Sequence, residues 1–277
     1  MGSTKFVPRP RFEDYKEKFK EYIVMERKNG IILLRMHTNG GHVKWNLMMH
    51  NALCQAWHEV GNDPENEVMI LTSTGSVWIA ETDKTVDEGM EIKEGKPDLP
   101  YERGYYDSTK LVENLVFDVD IPTISAVNGP GFHTEIALLC DITICTEKAQ
   151  FQDAHFSIGF PPGDGQGLVF QELLGLKRAG YYLYTGKNID AKTALEWGLV
   201  NEVVSEGKLL NRAWEIAEMI MKQSRVNRRM TSQILRRPWK RLLINDFQVH
   251  LSHELYGIEK RGSVSHDFEA IRKSWDK

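Results

Sequence analysis

The chain has 277 residues, of which 41% are hydrophobic and 27% charged. That length suits one large domain or two small ones, and the composition excludes a wholly disordered polypeptide. The formal net charge is -4, from 35 basic and 39 acidic side chains, so the overall balance demands no nucleic-acid partner.

Residues 1–11 lack the apolar core of a signal segment, and no run approaches the roughly 20 apolar residues of a membrane helix. No membrane partner and a cytoplasmic location are therefore expected. Residues 1–20 are charged and helical or loose. Strands follow at 22–26 and 31–36, joined through Asn29-Gly30, a strong hairpin signal. Asn39-Gly40-Gly41 breaks the chain before a helical period that starts at Asn46, and 68–71 is a short apolar strand. Residues 87–106, rich in Gly, Pro and charge, read as a mobile surface loop and candidate lid. A helix is expected over 107–116, a strand over 122–127, a buried helix over 134–140 and strands at 142–145 and around Phe151. Helices over 167–174, 177–185 and 191–197 lead to a strand at 200–204, and the rest is helical to Lys277. Alternating strands and helices make this an α/β chain. A core is expected over residues 1–205, with a helical region over 206–277. Neither a G-x-G-x-x-G nor a Walker A stretch is present.

Cys54, Cys140 and Cys145 cannot all pair within the chain, and none stands in a C-x-x-C unit. They read as small buried apolar side chains in a reducing compartment. His250, His253 and Glu254 share a helical face but form no complete ligand set, so no metal is expected. Basic residues cluster over 222–229 and at Arg236, Arg237, Lys240 and Arg241, among apolar positions that describe an amphipathic helix with a solvated face.

Five groups of residues can carry chemistry. His155 and Asp164 are separated by turn-forming residues that let the chain fold back. They are either a structural pair or an imidazole base fixed by a carboxylate, with water as nucleophile, since no G-x-S-x-G occurs. His133 and Glu135 follow Asn128-Gly129-Pro130-Gly131-Phe132 at a loop-to-helix junction. They either satisfy nearby backbone or serve developing negative charge. Trp45 lies at another such junction, where its indole N–H can meet a substrate carbonyl. Trp78 and Glu81 lie in a loop after a strand, and Glu254 can reach a cavity from the C-terminal helices.

The stretch from Asn128-Gly129-Pro130 through Glu135 to Cys140-Asp141 resembles the enoyl-CoA hydratase, or crotonase, signature. So do Glu147-Lys148-Ala149-Gln150-Phe151, Gly163-Asp164-Gly165 and Gly198-Leu199-Val200. The resemblance spans residue 22 to the C-terminus. It implies a ββα spiral core, a helical C-terminal trimerisation region, and homo-trimers often paired into hexamers. A hydratase of this family holds a water between two glutamates. Glu135 matches the first, but His155 stands at the second, and Asp164 replaces a small residue between glycines. These departures resemble the β-diketone hydrolases typified by 6-oxocamphor hydrolase. The resemblance makes His155 the base, Asp164 its partner and His133 a carbonyl-binding group, with Trp45 and the C-terminal Glu254 completing the set. Phe132, Glu135, Trp78 and Glu81 are expected to line the substrate pocket.

The implied reaction is hydrolysis of a C–C bond in a cyclic or bicyclic 1,3-diketone to a keto acid. Carbon leaves as an enolate only because a second carbonyl accepts its electrons, so no organic cofactor or metal is needed. The enolate is then protonated by His155 or through water near Glu254. Two rival readings remain: a coenzyme A-dependent hydratase, isomerase or thioester hydrolase, and a non-catalytic RNA-binding protein using the basic C-terminal residues.

Overall fold

The computed structural model describes residues 6–79, 81–82 and 100–260. Its centre is a six-stranded sheet ordered β1-β2-β4-β6-β7-β10. The strands are β1 (Ile23–Lys28), β2 (Ile31–Met36), β4 (Val68–Ser73), β6 (Thr123–Val127), β7 (Ile142–Thr146) and β10 (Glu202–Val204). β1 and β2 form the antiparallel hairpin announced by Asn29-Gly30, and Asn29 and Gly30 both have the positive φ that such a turn requires. The remaining pairings are parallel. Short pairs join β3 (Lys44–Trp45) to β5 (Glu81–Thr82), and β8 (Gln150–Phe151) to β9 (Ile189–Asp190).

β2, β4 and β6 are covered on both faces, which explains why β2 and β4 read as apolar runs without alternation. On one face Ile32, Leu34, Met69 and Leu71 join the larger core, with Trp57, Trp78, Phe170 and Phe247. On the other, Ile31, Leu33, Val68, Ile70, Ile124, Ala126 and Ile144 meet Leu209, Ala213, Ile216 and Ala217. These last four stand at helical spacing on the Leu209–Met221 helix. That helix lies beyond residue 205, yet it closes the second face of the sheet. The two helices expected over 167–185 run as Gln166–Thr185, broken at Gly175, whose φ of 75° and ψ of 157° are not helical.

Most of the expected lid lies outside the described residues, as does the helix expected over 261–277. The described end of the lid, Pro100–Tyr106, is not a loop. It winds as a π-helix into the Asp107–Phe117 helix. A second π-turn, Leu243–Phe247, leads into the Gln248–Lys260 helix that carries Glu254. Turns of this kind are frequent beside functional sites. No helix among the described residues is long and apolar enough to cross a membrane.

Four of the C-terminal basic residues are held by acidic partners of the core. Arg225 and Arg228 pair with Glu67, and Arg229 with Asp120. Arg236 is 1% exposed. It donates to Asp141, to the Thr123 hydroxyl and to the carbonyls of Leu115 and Ile121. Arg236→Ala would leave the Asp141 carboxylate buried without its cation. The expected cost is about 3–5 kcal/mol of folding stability, measurable by urea denaturation.

Candidate active site

Asp164 organises the site. Its Oδ2 lies 3.2 Å from His133 Nδ1 and 3.5 Å from His155 Nε2, so one carboxylate oxygen faces two imidazoles. Its Oδ1 accepts from the backbone N–H of Gln166. The other His155 nitrogen, Nδ1, lies 2.9 Å from Asp153 Oδ2, while Asp153 Oδ1 accepts the His155 backbone N–H. The expected His155–Asp164 hydrogen bond is thus longer than the usual 2.6–3.2 Å. The carboxylate that orients the His155 ring is Asp153, two residues upstream. Both of its oxygens are engaged because the chain turns after β8 and brings the Asp153 side chain back over its own backbone. Glu254 closes this end. Its Oε2 accepts from Gly163 N–H at 2.9 Å, and its Oε1 lies 3.9 Å from His155 Nε2.

The other end is built on His133. A β-carbon on Gly131 would come within 2.4 Å of the Ile79 amide nitrogen, and one on Gly129 within 1.9 Å of the Ser76 carbonyl oxygen. Both positions require glycine for the loop to lie against residues 76–79. Trp78 N–H donates to Pro130, and Phe132 N–H to Ile79. The loop ends at His133, whose φ of 52° is left-handed. The His133 ring stacks on Trp45, with centroids 4.1 Å apart and planes at 26°. Its Nδ1 also lies 3.0 Å from Glu135 Oε1. Nε2 is then the nitrogen that can meet a ligand.

Trp45 was expected to offer its N–H to substrate. Here that N–H donates to His50 Nε2 at 2.7 Å, and His50 Nδ1 contacts the Ser108 hydroxyl at 3.2 Å. Trp45 is therefore held in place by His50 and presents its ring to His133. Trp78 is fully buried behind the loop, donating its indole N–H to the His133 carbonyl. Glu81 points to Lys44 at 3.8 Å, and it is the neighbouring Thr82 that reaches the cavity. Trp78 and Glu81 thus stand outside the lining, while Phe132 and Glu135 are in it.

The cavity between the two ends has a volume of about 300 Å³. His133, Asp164, His155, Glu254 and Trp45 face it, with Phe132, Ile158, Phe160 and Ile258 as apolar wall. The sequence reading missed Asp153, His50, Ser108 and Gln166. An Asp-x-His step outside a helix was the available signal for Asp153. His50 was legible only as a helix residue, because the fold-back of Trp45 onto it depends on the Asn46 cap.

Burial alone would lower the His133 pKa. The Glu135 and Asp164 carboxylates outweigh it and hold the group at about 10. His155 is likewise depressed by burial but raised well above the ordinary value by Asp164, Asp153 and Glu254. Burial would raise Asp164, yet His155 and His133 keep it below the usual carboxylate range. Glu135 is pushed up to about 7 by burial and by Asp164, and Glu254 to about 7 by burial, against the pull of His155. His50 falls to about 3 through burial and the neighbouring His133. The donors of His133, Glu135 and Asp164, and of Asp153, His155 and Asp164, lie within 4.8 Å of one another. Both histidines must give up a proton before either group could ligate a metal, and the surrounding carboxylates raise the pKa of each.

Residues 26–261 match the family model described as enoyl-CoA hydratase/isomerase. The chain belongs to that family. Among solved structures it is similar to a β-diketone hydrolase from the cyanobacterium Anabaena, determined with (S)-3-oxocyclohexyl acetic acid bound. The two share 34% identity and a TM-score of 0.80, over 90% of this chain and 97% of that one. An enoyl-CoA hydratase/isomerase from Mycobacterium paratuberculosis shares the fold at 24% identity and a TM-score of 0.78, over 91% of this chain and 98% of that one. Carnitinyl-CoA dehydratase from Salmonella paratyphi A is 34% identical over 61% of this chain. The match spans only 63% of that relative's length. A 4-chlorobenzoyl coenzyme A dehalogenase from Arthrobacter is 27% identical, over 72% of each chain.

The hydrogen bond from Trp45 requires His50 to be neutral with its proton on Nδ1. Nitrogen-15 NMR should find that tautomer unchanged from pH 8 to pH 5. A His50 ring that titrates near its ordinary value of 6.5 would contradict the assigned contact.

Proposed function

We propose that this enoyl-CoA hydratase/isomerase family member hydrolyses a C–C bond of a cyclic or bicyclic 1,3-diketone, giving one enantiomer of a keto acid. The observation that carries this reading is the pair of imidazoles on either side of Asp164, in a cavity walled by apolar side chains. A nonpolar diketone fits such walls, and its two oxygens can meet charge or donors at both ends. The likeness to a β-diketone hydrolase over nearly the whole chain supports the same class.

His155 takes a proton from water through Nε2, with Asp153 fixing Nδ1 as donor. The 3.9 Å between His155 Nε2 and Glu254 Oε1 admits a water hydrogen-bonded to both. Hydroxide adds to one carbonyl, and the tetrahedral oxyanion collapses with the bond to the central carbon breaking. His133, cationic and stacked on Trp45, presents Nε2–H to the oxygen that gains charge. Protonation of the enolate carbon completes the keto acid. No step calls for a metal or an organic cofactor, so activity is expected to survive EDTA treatment and dialysis.

A thioester reading has two observations in its favour: the likeness to coenzyme A enzymes, and Glu135 among the cavity lining, at the position where the resemblance puts a hydratase's first glutamate. Opposite it, where the resemblance puts a hydratase's second glutamate, stands His155. The RNA-binding reading is weakened by the ion pairs that tie Arg225, Arg228, Arg229 and Arg236 to the core. Homo-trimer or hexamer assembly belongs to the same proposal. Val226, Met230 and Ile234 form an exposed apolar stripe at helical spacing that a second copy can cover.

The test is acid release from a 2,2-dialkyl cyclic 1,3-diketone. His155→Ala should lower kcat by about 10²–10⁴-fold, and near-full activity would remove His155 as base. His133→Ala should raise the barrier by about 2.7–4 kcal/mol while leaving the acidic limb of the pH–rate profile in place.

The position of that limb is a second test. His155 acts only when neutral, and its pKa is raised, so the neutral form appears only above 6.5. Activity should therefore climb with pH through a limb above 6.5. Asp153→Asn removes one of the charges that raise it and should move the limb to lower pH. A wild-type limb at or below 6.5 would contradict the assignment.

A further inference from the structure

Glu135 is fully buried and lines the cavity. Its Oε1 faces His133 Nδ1, but its Oε2 is buried with no hydrogen-bond partner. A carboxylate oxygen left this way carries a large desolvation cost, which a proton relieves. The resulting Oε2–H needs an acceptor that none of the described residues supplies. Gln166 is in the same position. Its Oε1 accepts from the Thr134 hydroxyl, while its amide nitrogen is buried without a partner, and the residue lines the same cavity. Two residues that line one cavity, each with a buried polar atom left unmatched, mark a place where a ligand oxygen and its charge can be met once a side chain turns toward it.

Glu135 also ends a continuous series of side chains. His155 Nε2 is 3.5 Å from Asp164 Oδ2, the same oxygen is 3.2 Å from His133 Nδ1, and that nitrogen is 3.0 Å from Glu135 Oε1. Glu254 is placed differently. One of its oxygens is committed to the Gly163 N–H, and the other faces His155 at the end where water is activated.

We propose that Glu135 is the acid that protonates the enolate carbon, and that it is resupplied through His133 and Asp164 with the proton His155 took from water. This rests on the diketone reading. The steps balance. Water gives a proton to His155 and hydroxide to one carbonyl carbon. As the C–C bond breaks, its electron pair enters the enolate, whose oxygen accepts from the Gln166 amide. Glu135 Oε2–H gives its proton to the central carbon, forming the new C–H bond. The Glu135 carboxylate then takes a proton at Oε1 from His133, His133 takes one from Asp164, and Asp164 takes one from His155 across a gap that a small ring rotation closes. Rotation of the Glu135 carboxyl group returns the proton to the cavity side. One water is consumed, and every side chain ends as it began. The pKa of about 7 for Glu135 leaves it able both to give and to regain a proton near neutral pH.

The test uses a cyclic 1,3-diketone with two different alkyl groups on the central carbon, because protonation makes that carbon a stereocentre. Wild-type enzyme in D₂O should place deuterium there in a single configuration. Glu135→Gln keeps the shape of the side chain and cannot give a proton. It should lower kcat by about 10²-fold and yield a mixture approaching equal configurations, as solvent protonates either face. A merely structural role would change the rate but not the configuration. A Glu135→Gln enzyme that keeps the wild-type configuration with kcat within threefold overturns the proposal. So does a wild-type product that is already mixed, a result that needs no variant to fold. Wild-type enzyme that releases no acid from any cyclic 1,3-diketone overturns the diketone reading and this inference with it.

Discussion

One carboxylate oxygen of Asp164 between two buried imidazoles is the constraint on which the site depends. Either ring alone, buried in this cavity, would give up its proton. An opposite charge at the observed 3.2–3.5 Å is worth about 5 kcal/mol at an effective dielectric near 20, and with the neighbouring carboxylates it outweighs the burial of each ring. Asp164 in turn stays ionised only because both rings face it. The three groups form one charged unit, extended by Asp153 and Glu254 at the His155 end and by Glu135 at the His133 end. A water-activating function and an oxyanion-holding function are thereby linked through a single side chain.

Holding this unit falls to the backbone around it. The 128–133 loop reaches residues 76–79 so closely that only glycine fits at positions 129 and 131. It delivers His133 in a left-handed conformation that costs a non-glycine residue about 1–3 kcal/mol. Stacking on Trp45 and the two carboxylates at Nδ1 offset that strain. At the opposite end a β-carbon on Gly163 would lie 2.2 Å from the His250 carbonyl oxygen. The Gly163 loop and the Gln248–Lys260 helix are in backbone contact there, and this sets the position of Glu254. The C-terminal helices thus do two things: one seals the second face of the sheet, and another carries a carboxyl group into the cavity.

Much of the fold was legible because it rests on local patterns. The Asn29-Gly30 hairpin, the Asn46 cap and the apolar runs of β2 and β4 announce themselves in the residues. The π-turn at Pro100–Tyr106 did not, since Gly, Pro and charged residues also describe a loop. In the site, the residues taken from the resemblance were His155, Asp164, His133, Glu254 and Trp45, and the cavity brings all five together. What the sequence could not convey was which atoms meet. Two carboxylates, Asp153 and Asp164, lie within reach of His155, and only the turn after β8 decides which of them takes Nδ1. The Trp45 N–H is claimed by His50 because the chain folds back at a helix start. No spacing rule distinguishes that contact from an N–H turned toward a ligand.

The central claim is that two histidines sharing the Asp164 carboxylate, rather than a pair of glutamates holding one water, define the chemistry. The most direct measurement compares two progress curves on one preparation of enzyme: acid release from a bicyclic 1,3-diketone, and absorbance loss from a crotonyl thioester of coenzyme A. The account predicts acid from the diketone, with no hydration of the thioester. Rapid hydration of the thioester, with no acid from the diketone, would contradict it.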